Sequence, residues 1–177
     1  NTGLGSLAGS NITSGDHNTY VGFASGDAHT TADNSTGVGS FVLSDNTTGA
    51  NNTATGFKAL FANTTASNNT AMGSYALIAN TTGASNTAVG NDCMDSNTTG
   101  ADNTAMGVDA LQANTTASNN VAVGRLALTG NTTGHSNTCL GYGALRANLT
   151  GNFNVAVGFD SGFYGQGRPM YGNNNTI

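Results

Sequence analysis

Large apolar side chains recur along this chain at a fixed step of 17 residues. Val21, Val38, Met72, Val89, Met106, Val123, Leu140 and Val157 form one column. Leu43, Leu60, Leu77, Met94, Leu111, Leu128 and Leu145 form a second. Glycine keeps the same step at ten consecutive positions: Gly5, Gly22, Gly39, Gly56, Gly73, Gly90, Gly107, Gly124, Gly141 and Gly158. Aligned on these glycines, the best copies are GFKALFANTTASNNTAM (56–72), GSYALIANTTGASNTAV (73–89) and GVDALQANTTASNNVAV (107–123), with the consensus GxxALxxNTTGxxNTAV.

A unit of 17 residues is too short for a helix pair and shorter than a leucine-rich repeat. It suits one coil of a parallel β-solenoid, an all-β fold. Stacking superposes each column at the strand spacing of roughly 4.8 Å, so about ten coils make a rod about 48 Å long. Within NTAV, alternation puts Thr and Val on one strand face and Ala on the other. The Ala-Leu segment reads as a second strand, with one helical turn over Ala110-Leu111-Gln112-Ala113 as the alternative. NTTG is turn chemistry, because Asn tolerates the left-handed region and Gly or Ala follows. The repeating Gly marks a corner, where the chain turns or approaches a neighbour closely. Two asparagine columns predict ladders of stacked amides. One is Asn46, Asn63, Asn80, Asn97, Asn114, Asn131 and Asn148; the other runs from Asn18 through Asn52, Asn69, Asn86, Asn103, Asn120 and Asn137 to Asn154.

The pattern defines a single domain over 1–177, with degenerate coils over 1–38, regular coils over 39–157 and an irregular end over 158–177. Asn1-Thr2-Gly3-Leu4 matches the last four positions of a unit, so the chain opens mid-repeat and reads as a piece of a longer precursor. Gly172–Ile177 returns to the repeat, displaced by four residues. Degenerate units flanking a regular middle are the pattern of solenoid capping. Each coil offers about two large apolar side chains plus Ala, thin against the ordering entropy of 17 residues. The Ala columns, including Ala59, Ala76, Ala110, Ala127 and Ala144, would permit close packing of chain on chain. Self-association is therefore expected, as a trimer or an end-to-end filament. Phe159, Phe163, Tyr164, Met170 and Tyr171 form an apolar group at the irregular end suited to docking a neighbour.

Composition narrows the function. Gly, Asn and Thr make up 79 of 177 residues, and only 7% are charged. That argues against an ordinary helical or α/β enzyme domain. The net charge is −5, and the four bases Lys58, Arg125, Arg146 and Arg168 are too scattered for a nucleic-acid surface. No apolar run approaches a membrane span.

The unit GxxALxxNTTGxxNTAV resembles the repeats of secreted tail-fibre-domain proteins of marine and environmental bacteria and their phages. It is also similar to a lengthened head repeat of trimeric autotransporter adhesins, whose coil carries an N-x-A-x-G strand. The likeness covers about residues 1–158. It implies a trimeric, left-handed parallel β-roll or β-helix, exposed on the cell surface, secreted or carried as a virion fibre, and used as stalk or adhesive head. The expected partners are copies of itself and surface glycans.

Catalytic chemistry is sparse. His17, His29 and His135 fall at different phases and read as exposed loop residues. Asp92 and Asp109 occupy one column in adjacent coils, a conceivable acid–base pair, but a solvated edge explains them. No catalytic residue, metal site or cofactor is expected, and the protein reads as non-enzymatic. Cys93 and Cys139 each replace a column Ala in different columns, too far apart to bridge, and read as small buried hydrophobes. The sequons at Asn46, Asn63, Asn80, Asn97, Asn114, Asn131 and Asn148 are candidate glycan acceptors as well as ladder members. The leading reading is an extracellular structural or adhesive fibre. The alternative is an ice-binding solenoid built on the Thr47 and Thr48 ranks, although adjacent threonines on an extended chain point apart.

Overall fold

The computed structural model describes residues 1–163 and 172–176. Ten strands of three residues follow one another: β1 (Thr2–Leu4), β2 (Thr19–Val21), β3 (Thr36–Val38), β4 (Thr53–Thr55), β5 (Thr70–Met72), β6 (Thr87–Val89), β7 (Thr104–Met106), β8 (Val121–Val123), β9 (Thr138–Leu140) and β10 (Val155–Val157). They form one parallel sheet in chain order. Each residue pairs with the one 17 positions on, as in Thr53↔Thr70, Ala54↔Ala71 and Thr55↔Met72. The chain is the parallel β-solenoid that the repeat predicts, and no helix occurs among the described residues.

The strands sort their side chains by period two. Ala54, Ala71, Ala88, Ala105, Ala122 and Ala156 point inward and are fully buried. The flanking Thr and Val, Met or Leu point outward and are exposed or half-buried. This corrects the expected core. The Val and Met column lies outside, so the regular coils fill the interior with one large apolar side chain each, from Leu43 through to Leu145, joined in the first of them by Val42. The Ala columns also differ from expectation. Ala59, Ala76, Ala110, Ala127 and Ala144 are buried inside their own chain and offer nothing to a neighbour.

The Ala-Leu segment is neither strand nor helix. In every regular coil the second and fourth residues after the corner Gly sit in the left-handed region, as with Lys58 at φ +56° and Leu60 at φ +51°, or Asp109 at +56° and Leu111 at +53°. The interspersed left-handed residues break both the extended path and the right-handed turn. Coil-to-coil bonding survives. The Lys58 N–H donates back to the Ser40 carbonyl at 3.0 Å, while the Leu60 and Ala62 N–H groups donate forward to Ala76 and Ile78, each at 3.0 Å. Each left-handed Leu costs about 1–2 kcal/mol of backbone energy, offset by complete burial of its side chain.

The ten corner glycines have φ between +127° and +144°. Space is as limiting as conformation: a Cβ on Gly107 would lie 2.6 Å from the carbonyl carbon and oxygen of Gly124. At the irregular end, Gly158–Gly162 begins another coil. The displaced segment then rejoins the stack with the expected four-residue offset. Val155 bridges Thr176 in parallel, and the Asn175 amide donates to Asn154 Oδ1 at 2.8 Å.

Two substitutions test this backbone. Gly107→Val should lower unfolding stability by more than about 2 kcal/mol, since φ and space both exclude it. Asp109→Gly, at a left-handed position free of that crowding, should raise it by about 0.5–1 kcal/mol. Chemical denaturation of each variant measures both; a neutral Gly107→Val would show that the corner tolerates a side chain.

Candidate functional site

The polar groups that converge in this molecule do so inside it. The first asparagine column is buried: Asn46, Asn63, Asn80, Asn97, Asn114 and Asn131 are fully covered, and Asn148 nearly so. Each amide spends both hydrogens. Asn80 Nδ2 donates to Asn63 Oδ1 at 3.0 Å and to the Gly83 carbonyl at 2.9 Å. Asn97 repeats this toward Asn80 and Gly100. The second column also links its amides coil to coil, as from Asn103 to Asn86 and from Asn154 to Asn137, and adds bonds to the backbone. The Asn69 N–H donates to Asn52 Oδ1 at 2.9 Å, while Asn52 Nδ2 crosses to the Ala66 carbonyl at 2.8 Å. Ser35 stands in this column where Asn is usual, taking the Asn52 N–H on its hydroxyl at 3.3 Å.

The sequon asparagines therefore do not fit the role of glycan acceptors in the folded coil. A sugar on Nδ2 would displace a ladder hydrogen bond and would have to pass through the coil wall. Sequons at the exposed corner residues Asn34, Asn51 and Asn68 carry no such obstacle; their signal was the N-x-T spacing one residue before the second ladder.

His29 corrects another expectation. It lies 17 residues before Asn46, on the ladder column, and is fully buried rather than in an exposed loop. Its Nδ1 accepts from the Tyr20 hydroxyl at 2.8 Å and from Asn46 Nδ2 at 3.0 Å, so Nε2 carries the proton and donates to the Ala32 carbonyl at 2.8 Å. Tyr20 takes an inward Ala position. Its ring occupies the space left by three glycines: added Cβ atoms on Gly9, Gly26 and Gly37 would meet it at 3.3, 2.6 and 2.9 Å. Gly9 and Gly26 stand where later coils have Leu. The degenerate N-terminal coils are thus a coordinated exchange of one large ring for several small positions. Burial lowers the His29 pKa, against smaller raising effects of the Ala32 bond and Asp33, and burial raises that of Tyr20. A hollow of about 280 Å³ lined in part by Gly3, Gly9, Ile12 and Tyr20 opens beside it.

The remaining candidates are dispersed. His17 and His135 are exposed. Asp92 and Asp109 sit half-buried just past the corner; burial, then Asp95 and Asp109, raise the Asp92 pKa. Among the described residues no three His, Cys, Asp or Glu side chains converge as metal ligands. Cys93 and Cys139 are free, buried thiols, each pushed up to about 12 mainly by burial. The Thr47 rank turns its hydroxyls into the stack, donating to the next coil's carbonyl, as in Thr47 to Thr64 and Thr81 to Thr98 at 3.0 Å. Only the Thr48 rank faces solvent, so the pair does not build one flat face. Phe159 is exposed and stacks on Tyr142 with centroids 5.1 Å apart, and Phe163 lies under the Arg146 guanidinium at 3.7 Å. Tyr164, Met170 and Tyr171 lie outside the described residues. An aromatic row not foreseen from the sequence runs through Phe23, Phe41, Phe57 and Tyr75 in edge-to-face contacts, with Lys58 beside it. Its signal was phase: each ring is one or two residues past a corner Gly. No protein-family profile, curated protein or solved structure matches the chain.

Two outcomes follow from the buried polar groups. Asn97→Ala strands one Asn114 amide hydrogen and Asn80 Oδ1, while the Gly100 carbonyl keeps its bond from Asn86, and should cost about 2–3 kcal/mol in a denaturation experiment. For His29, the folded pKa lies below its ordinary 6.5, so the unfolded chain binds the proton first. Its contribution is complete above pH 6.5 and is lost as the pH falls below that value toward the lower folded pKa. The protection of amides in the first three coils, taken relative to their intrinsic exchange rates, should fall in that window, and His29→Asn should remove the dependence.

Proposed function

We propose that this protein is a non-enzymatic, extracellular structural rod, a stalk or adhesive fibre that works alongside copies of itself and against surface glycans. The observation that carries the reading is where the polar chemistry goes. In coil after coil the buried amides, the corner and the turn are committed to holding the next coil, and what remains outside is a set of repeating columns. Such a stack transmits length and stiffness and displays the same surface many times, which multiplies weak contacts along a fibre. His17 and His135 stand apart on the surface, His29 is held by Tyr20, Asn46 and Ala32 within the stack, and the buried thiols are protonated at neutral pH, a poor state for nucleophiles.

Small-angle scattering should return a rod about 48 Å long for the ten coils. Antibody labelling should mark intact cells that make the protein; labelling only after permeabilisation would remove the extracellular part of the reading. Turnover of a polysaccharide by purified protein would replace the structural role with an enzymatic one, and thermal hysteresis would replace it with ice binding.

A further inference from the structure

The outer face of the sheet has a composition unlike the rest of the chain. Of its 20 outward positions, nine are Thr and the others are Val, Leu or Met. None carries a charge or an amide, in a protein rich in Asn with nine Asp. The size of the apolar column also alternates. Met72, Met106 and Leu140 stand 46%, 44% and 50% exposed. Val89 and Val123, on the coils between them, and Thr55, on the coil before Met72, are shorter and half-buried. Across β5 to β9 the face is therefore a comb with a tooth on every second coil, a pitch of about 9.6 Å at the strand spacing, while Val38 and Val157, 39% and 58% exposed, stand outside the alternation.

We infer that this comb is an interface with a second copy of the chain, the two rods lying face to face and antiparallel. The proposal rests on the reading of the protein as a self-associating rod and specifies its contact. A surface of teeth and gaps requires a partner with the same pitch shifted by one coil, and a second copy has that pitch by construction. A two-fold axis across the rod between β5 and β6 overlaps all ten strands and sets the apolar column against itself, as an isologous contact requires. Met72 then faces the gap at the partner's Val89, Met106 the gap at the partner's Thr55, and Leu140 the gap at the partner's Val21. Alternating large and small residues across facing sheets is how sheet-on-sheet cores interdigitate. Met suits such teeth because it adapts to the gap it enters. A strip about 48 Å long and about 10 Å wide covers about 500 Å² on each copy, about 1,000 Å² in all, at the small end of specific interfaces. The same uneven relief departs from the flat face that an ice lattice would need.

Sedimentation of the purified chain over a concentration series tests the pairing. A reversible dimer is expected. Met72→Asp and Met106→Asp should each raise its dissociation constant at least about tenfold with unchanged thermal unfolding of the coils. Thr82→Asp and Thr116→Asp, on the exposed Thr rank away from the sheet face, should leave it unchanged. Adding Thr55→Lys to Met106→Asp should restore the dimer, since these positions face each other only across the two-fold axis. A wild-type chain that stays monomeric throughout overturns the proposal. So does failure of Thr55→Lys to rescue, and so does thermal hysteresis of a monomer that the Met variants abolish. Assembly unaffected by both Met variants overturns this interface while leaving the self-associating rod intact.

Discussion

The side-chain amide buried in each coil governs the rest of this molecule. An Asn sealed away from water must find partners for two donors and an acceptor. One donor is satisfied within its own coil, as in Asn97 to Gly100, but the other donor and the acceptor reach only the equivalent residues of the adjoining coils. That requirement couples neighbours in strict register. A one-residue slip would strand an amide in every coil and expose the inward Ala face. A fixed step of 17 is the covalent expression of that coupling.

With so much of the interior given to amides and Ala, apolar burial is modest and close approach becomes the limiting condition. The corner glycines meet it by bringing successive backbones nearer than a Cβ allows. The left-handed leucines meet it differently, accepting backbone strain so that a large side chain enters the core while its N–H reaches the next coil. Where the ladder gives way to His29 and the Leu column to glycine, the Tyr20 ring fills the space and its hydroxyl closes the hydrogen-bond network. The N-terminal coils keep the same constraint with different residues.

The outside follows from the inside. A coil whose inward positions are prescribed can vary only at its surface, and each surface position is copied every 17 residues into a column. Columns, rather than clefts, are the functional units such a rod can offer: an aromatic row beside the corner, an exposed Thr rank on the turn, and a toothed Thr and apolar strip on the sheet. Each can meet an extended partner at many points, which is what the proposed structural or adhesive role would use.

Much of this was present in the sequence because repetition turns one-dimensional spacing into three-dimensional adjacency. The 17-residue step established the parallel stack, its register, the corner glycines, the Asn ladders and the four-residue offset before Asn175. What it left open was direction. Val89 and Leu77 both recur as large apolar residues, and only the closed coil decided that Leu77 fills the core while Val89 faces out, because the coil closes on the face that carries Ala88. The same closure buried Ala76, withdrew the Asn80 sequon from the surface and placed His29 on a ladder instead of a loop. Leu111 could not be read as left-handed, since its intrinsic preference opposes it; the hydrogen bonds to flanking coils and the burial of its side chain outweigh that preference only in the assembled stack.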